Sequence, residues 1–133
     1  MKTLLVLIAL AAAAHADPMP DDPIGDRLFP PDLIMSHQQD LKLDDATRHT
    51  IVSQVQAFQT TAVKIQWDLK AAGDALAQAL DRPAIDEAKT LELADKVMAL
   101  EHDLKRAHLT LLIRLKNALT PAQQAQLRAM HKR

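Results

Sequence analysis

From Ile51 to Leu76 the apolar residues fall at alternating spacings of four and three: Ile51, Val55, Phe58, Ala62, Ile65, Leu69, Ala72, Leu76. That is nearly four heptads of seam, the spacing that keeps one edge of a helix facing a partner helix. The helix should run to about Leu80. Pro83 then breaks it, because a proline disfavours helical backbone at the residue before it. A second series follows at Leu93, Val97, Leu100, Leu104, Ala107 and Leu111, continuing through Leu115 to Ala118, with residues 85–87 opening the helix. Two helices of roughly 35 residues are each on the order of 50 Å long at 1.5 Å per residue. A connection of about four residues, 81–84, makes them antiparallel. Strands favour β-branched and aromatic residues, yet aromatics are 2% of this chain. The fold class expected is all-α: a long antiparallel helical hairpin with short flanking helices, four helices in total.

The flanks read as follows. Pro31 or Asp32 opens a short helix to about Asp40, with Leu33, Ile34 and His37 on its inner side and Leu41 closing it. Asp44 is a good N-cap for the first long helix, and Asp45 suits the positive end of its dipole. A fourth helix, from Pro121 to about Lys132, should bury Leu127 and Met130. Residues 17–31, with five prolines and Gly25, read as an extended, mobile arm, so the helical domain is expected at 32–133. Lys2, the apolar run 4–14 and Ala14-His15-Ala16 read as a signal peptide, residues 1–16, cleaved on export to the periplasm. An uncleaved anchor is the alternative, although the run is short of the roughly 20 apolar residues a bilayer span needs. The chain has no cysteine, hence no disulfide and no thiolate metal site. Its net charge of −1 argues against nucleic acid as a partner.

A two-helix rod can hide one stripe per helix. Leu91, Met98, His102, Leu109 and Ile113 cluster within about 60° on the side of the second long helix opposite its seam. Val63 and Trp67 lie one turn apart on the outer face of the first. Exposed apolar patches usually mark interaction sites. Three coverings are open: a sister chain in a homodimer, the short end helices, or a client polypeptide. Trp67 either anchors a partner through its large ring or covers a neighbouring helix.

The fourth helix opens with Leu119-Thr120-Pro121-Ala122-Gln123. Thr120 can accept from a free N–H of the first turn, Pro121 suits the first helical position, and Gln123 can reach back to the cap's own N–H. With the signal peptide, the absence of cysteine and the two long helices, this resembles the Spy/CpxP-type family of small periplasmic proteins, whose hallmark is a repeated LTxxQ. The second copy matches at Leu119, Thr120 and Gln123; the first, Leu43-Asp44-Asp45-Ala46-Thr47, keeps only the leucine and the capping role. The resemblance covers roughly residues 33–133. It implies a curved, hooked antiparallel dimer with a concave client-binding face. The same superfamily includes heavy-metal sensors and zinc-resistance proteins of the CnrX and ZraP kind.

No motif for catalysis is present: no Gly-rich phosphate loop, H-E-x-x-H, G-x-S-x-G or cysteine nucleophile. Glu92/Lys96 and Glu101/Lys105 read as one-turn helix supports. Met98 and His102 place a thioether and an imidazole on one face, in the reverse order of the sensor branch's His-then-Met. Asp45 and His49 form another one-turn pair. Met98, His102 and His49 are therefore the candidate ligands for a divalent metal, to be weighed against a packed Met98, a solvated His102 and a His49 paired with Asp45. The histidines could also sense acid. The expected function is binding without chemistry and without a required cofactor: an ATP-independent periplasmic chaperone or stress-response adaptor. Its partners would be unfolded envelope proteins or a membrane-bound signalling protein, held at Val63, Trp67, Leu91, Met98, Leu109 and Ile113. The alternative is a periplasmic heavy-metal (Ni, Co, Zn or Cu) sensor or resistance accessory.

Overall fold

The computed structural model describes residues 23–131. The expected signal peptide and residues 17–22 of the arm lie outside them. A 3-10 turn, Gly25–Arg27, precedes four helices: α1 (Pro31–Ser36), α2 (Asp45–Leu80), α3 (Glu87–Ala118) and α4 (Pro121–His131). The described residues contain no strand. α2 and α3 pack antiparallel as a hairpin, as the two seams require.

Each seam position is buried or half-buried, from Ile51 to Leu76 on α2 and from Leu93 to Ala118 on α3. Full burial is confined to Ile51, Ala62 and Ala72 on α2 and to Thr90, Leu111 and Leu115 on α3. The physical reason is that two helices touch along a line. Large seam residues in the outer arm, such as Leu69 and Leu100, are covered by their partner helix and stay open at the sides.

The core proper sits at one end. Phe29, Ile34, Leu41, Ile51, Leu111, Leu115, Leu119 and Leu127 form one buried cluster. It joins the start of α2, the end of α3 and both short helices. Leu115 and Leu127 have no exposed surface. Truncating either to alanine should cost about 2–5 kcal/mol, the usual range for a buried leucine.

The helix ends are built as the sequence implies. The Asp44 carboxylate accepts from the Thr47 N–H at 2.7 Å, and hydrogen bonding with the Thr47 side chain and this N–H holds its pKa below the ordinary aspartate value. The box at α4 is reciprocal: the Gln123 N–H donates to Thr120 Oγ1 at 3.2 Å, and the Thr120 N–H donates to Gln123 Oε1 at 2.9 Å.

Four expectations are corrected. α1 stops at Ser36, not near Asp40, and hydrogen-bonded turns carry the chain to Lys42, which adopts φ 52°. That left-handed residue turns the backbone sharply enough to bring Leu41 inward and start α2 at once. The link between the long helices spans 81–86, because Asp86 serves as the α3 cap and accepts from the Lys89 N–H at 3.2 Å. Residues 23–31 are not a free arm: Arg27 donates to the Pro23 carbonyl, and Phe29 is 2% exposed in the core. The folded unit thus includes Phe29. The ion pairs along the helices are also not those expected. Glu92–Lys96 and Glu101–Lys105 do not pair, whereas Lys70–Asp74 (2.7 Å) and Arg48–Asp45 (2.6 Å) do. All of these side chains are exposed, where rotamer entropy offsets most of the Coulomb gain and partner choice is nearly free.

Candidate partner-binding surface

The hairpin has two broad faces, one on each side of the α2–α3 seam. Along one runs a groove of about 270 Å³ between the helices, lined by Gln54, Ala57, Thr61, Asp103, Arg106 and Thr110. Here the Arg114 guanidinium donates to Gln54 Oε1 at 3.2 Å. On the other side of the seam α1 lies against α2. A groove of about 470 Å³ opens there, its apolar walls formed by Ile34, Met35, Leu43, Ile51, Val52 and Val55.

Every apolar residue singled out on the outer faces is uncovered. Trp67 is 76% exposed, Leu91 and Met98 are each 56%, Val63 is 52%, Ile113 is 44% and Leu109 is 40%. Within one chain the short helices do not cover this stripe, because they are spent on the basal core. Trp67 therefore covers no neighbouring helix, and Met98 is not packed.

Two cross-hairpin pairs fix the register. Gln54 meets Arg114, and the rings of Phe58 and His108 lie 5.5 Å apart. Trp67 is then roughly level with Leu100, so Trp67 and Met98 fall at nearly one height in mid-arm, with Val63 one turn toward the base. Leu91 sits nearer the tip; Leu109 and Ile113 sit nearer the base.

The same register separates the candidate metal ligands. His102 lies opposite the turn of α2 around Ile65, on the order of 25 Å along the helix from His49. Met98 and His102 stay one turn apart on α3, both exposed, and His102 Nδ1 is 3.6 Å from the Asp103 carboxylate. Asp45 pairs with Arg48, not with His49. Among the described residues no three His, Cys, Asp or Glu side chains converge where an ion would sit. A site using both His49 and His102 would need a second chain.

Among the surface residues missed in the sequence are Met35, 62% exposed, and Val52, 47% exposed. A signal for Val52 was present. It lies eleven residues before Val63, three helical turns, and so on the same face. Met35 needed the tertiary fold, since nothing in α1 alone says which side meets α2. Also hidden was the second role of the α4 glutamines. Gln123 Nε2 donates to the Leu41 carbonyl at 3.0 Å, and Gln126 Nε2 to the Asp40 carbonyl at 3.1 Å. These bonds tie α4 to the turn between α1 and α2.

No helix among the described residues is long and apolar enough to cross a membrane. Comparison of the chain with known protein families, with curated proteins and with solved structures finds no match.

Proposed function

We propose that this protein is an exported, ATP-independent holding protein, which captures partly unfolded or partner polypeptides on the outer faces of its hairpin. One observation carries the reading: six large apolar side chains stand exposed along a rod whose spare helices are committed elsewhere. Trp67 and Met98, nearly level on the outer sides of α2 and α3, form its centre, with Val63 one turn toward the base. Leu91 extends the surface toward the tip, and Leu109 and Ile113 toward the base. Charged residues rim the patches, Lys70 and Asp74 among them, and hold the surface in solution. Shallow apolar contacts of this kind bind weakly and release without a nucleotide, which suits clients that leave on folding. The capping box and export signal, in their resemblance to Spy/CpxP-type proteins, support the same reading, and they support a second copy of the chain as one partner of the outer stripe.

The test is aggregation of a chemically unfolded client, followed by light scattering, with the mature chain at one equivalent. Slowed aggregation that is lost in a Val63→Ser, Trp67→Ser, Met98→Ser variant with unchanged helicity is the expected result. Unchanged aggregation rates with the parent protein would remove the proposal.

A further inference from the structure

The basal part of α3 and the helix after it carry a charge asymmetry that protein capture does not use; the carboxylates at this end, Asp40, Asp44 and Asp45 among them, belong to the turn before α2 and to its start. After Asp103 the sequence contains no acidic residue, while Lys105, Arg106, Arg114, Lys116, Arg128, Lys132 and Arg133 are all basic. Lys105, Leu109, Ile113 and Lys116 follow at spacings of four, four and three, so they form one stripe on the outer side of α3, with Arg106 beside Leu109. Leu109 and Ile113 are uncovered, and Lys105 and Arg106 are exposed. None of Lys105, Arg106 and Lys116 forms an ion pair among the described residues. Arg128 of α4 adds an exposed cation, also without an ion pair among the described residues, near the same end of the fold.

A local explanation covers little of this. Basic residues favour the negative end of a helix dipole, but only within its last turn. That accounts for Lys116. Lys105 and Arg106 lie about three turns earlier. Charge and shape then point to the occupant. Of Lys105, Arg106, Leu109, Ile113 and Lys116, only Arg106 lines one of the grooves described above. Lys105, Leu109, Ile113 and Lys116 instead stand on a convex ridge. Two apolar side chains framed by cations on a ridge fit a planar, deformable anionic surface, which accepts the apolar groups at headgroup depth and the cations at its phosphates.

We propose that the Lys105–Lys116 ridge of α3 is a peripheral docking site for an anionic lipid bilayer. Met98 lies on the same side of α3, so the hairpin arm would lie along the surface, with Trp67 on the outer face of α2 turned away from it. The protein would then hold clients beside the membrane rather than only in free solution. The site shares Leu109 and Ile113 with the basal end of the capture surface proposed above, but its charges lie outside the mid-arm patch.

The experiment is co-sedimentation of the mature chain with vesicles of phosphatidylglycerol and phosphatidylcholine, and with phosphatidylcholine alone. Binding to the anionic vesicles, lost in high salt, is expected. Each cation near such a surface contributes about fivefold, so Lys105→Gln, Arg106→Gln, Lys116→Gln should weaken partitioning on the order of 100-fold. Leu109→Ser, Ile113→Ser should weaken it further at unchanged charge, and circular dichroism checks that both variants fold. Absence of binding to anionic vesicles overturns the proposal. So does equal binding by the triple variant, or competition by soluble polyglutamate as effective as that by anionic lipid, which would mark an acidic polypeptide as the occupant. Client aggregation in the absence of lipid reads the other surface: its suppression should survive the triple charge variant, so the two proposals fail separately.

Discussion

Replacing Gln123 by glutamate exchanges an amide nitrogen for an oxygen and isolates what the capping glutamine does beyond capping. In the native chain its Oε1 accepts from the Thr120 N–H at 2.9 Å, and its Nε2 donates to the half-buried Leu41 carbonyl at 3.0 Å. The carboxylate keeps the first bond. It replaces the second with an oxygen facing an oxygen, which leaves the Leu41 carbonyl without that donor. Loss of such a bond with a stranded acceptor costs about 1–3 kcal/mol. The new charge near the α4 N-terminus returns about 0.3–1 kcal/mol. The net expectation at pH 7 is a loss of about 1–2 kcal/mol. Acid should repair it. The protonated carboxyl can donate to the Leu41 carbonyl, so folding raises the pKa of the introduced side chain above its unfolded value of about 4.3. A raised pKa gives a contribution that is fully present below the unfolded value and lost as the pH rises through the folded one. Urea unfolding of Gln123→Glu and parent, followed by circular dichroism at pH 7 and at about pH 3.5, below that unfolded value, gives the difference at each pH, and acid effects common to both chains cancel. The gap should be clear at pH 7 and shrink in acid. A variant as stable as the parent at pH 7, or a gap of equal size at both, would refute the tie between α4 and the Leu41 turn.

Further expectations test other parts of the fold. Leu127→Ala, at a side chain with no exposed surface, should cost about 2–5 kcal/mol in chemical unfolding and release α4 from hydrogen-exchange protection before the hairpin seam. Gly73 lies inside α2, and a Cβ there would meet nothing within 4 Å. Gly73→Ala should therefore raise stability by about 1 kcal/mol in the isolated chain, and a loss instead would reveal a close backbone approach by a partner at that point. The Asp44 carboxylate has a lowered pKa because it caps Thr47, so its stabilisation is present above the ordinary aspartate value and fades as the pH falls through the folded one. Asp44→Asn should keep the cap and flatten that part of the acid unfolding curve. Lys42 is strained by its left-handed backbone, and Lys42→Asn, which tolerates that conformation, should raise the urea midpoint, whereas the β-branched Lys42→Val should lower it.

What was legible in the sequence was local or periodic. The heptad seams fix the two long helices and their pairing, because a 4-3 alternation has one physical solution on a helix. Asp44 and the Thr120–Gln123 box could be read as caps, since their partners lie three residues away. Exposure of Trp67, Met98 and Leu91 followed from counting faces: each lies away from a seam, and a hairpin has no third layer. What was not legible depended on distant partners. Phe29 lies among prolines and reads as part of an arm, yet its ring completes a core whose other walls come from α2, α3 and α4. The Gln123–Leu41 and Gln126–Asp40 bonds join residues more than eighty positions apart. The candidate ligands His49 and His102 look equivalent as residue types, and only the hairpin register separates them. The basic run after Asp103 was present in the sequence but hidden by a net charge near zero, which averages it against the acidic first half.

Trp67 is the only tryptophan in the chain and stands at the centre of the proposed working surface, so its fluorescence reads that surface without a label. The decisive measurement is iodide quenching of Trp67 in the dilute mature chain, then with an unfolded client added to saturation. The account predicts free quenching and red-shifted emission at first, then a blue shift and loss of quenching as client binds. Emission and quenching that stay unchanged at saturating client would contradict it.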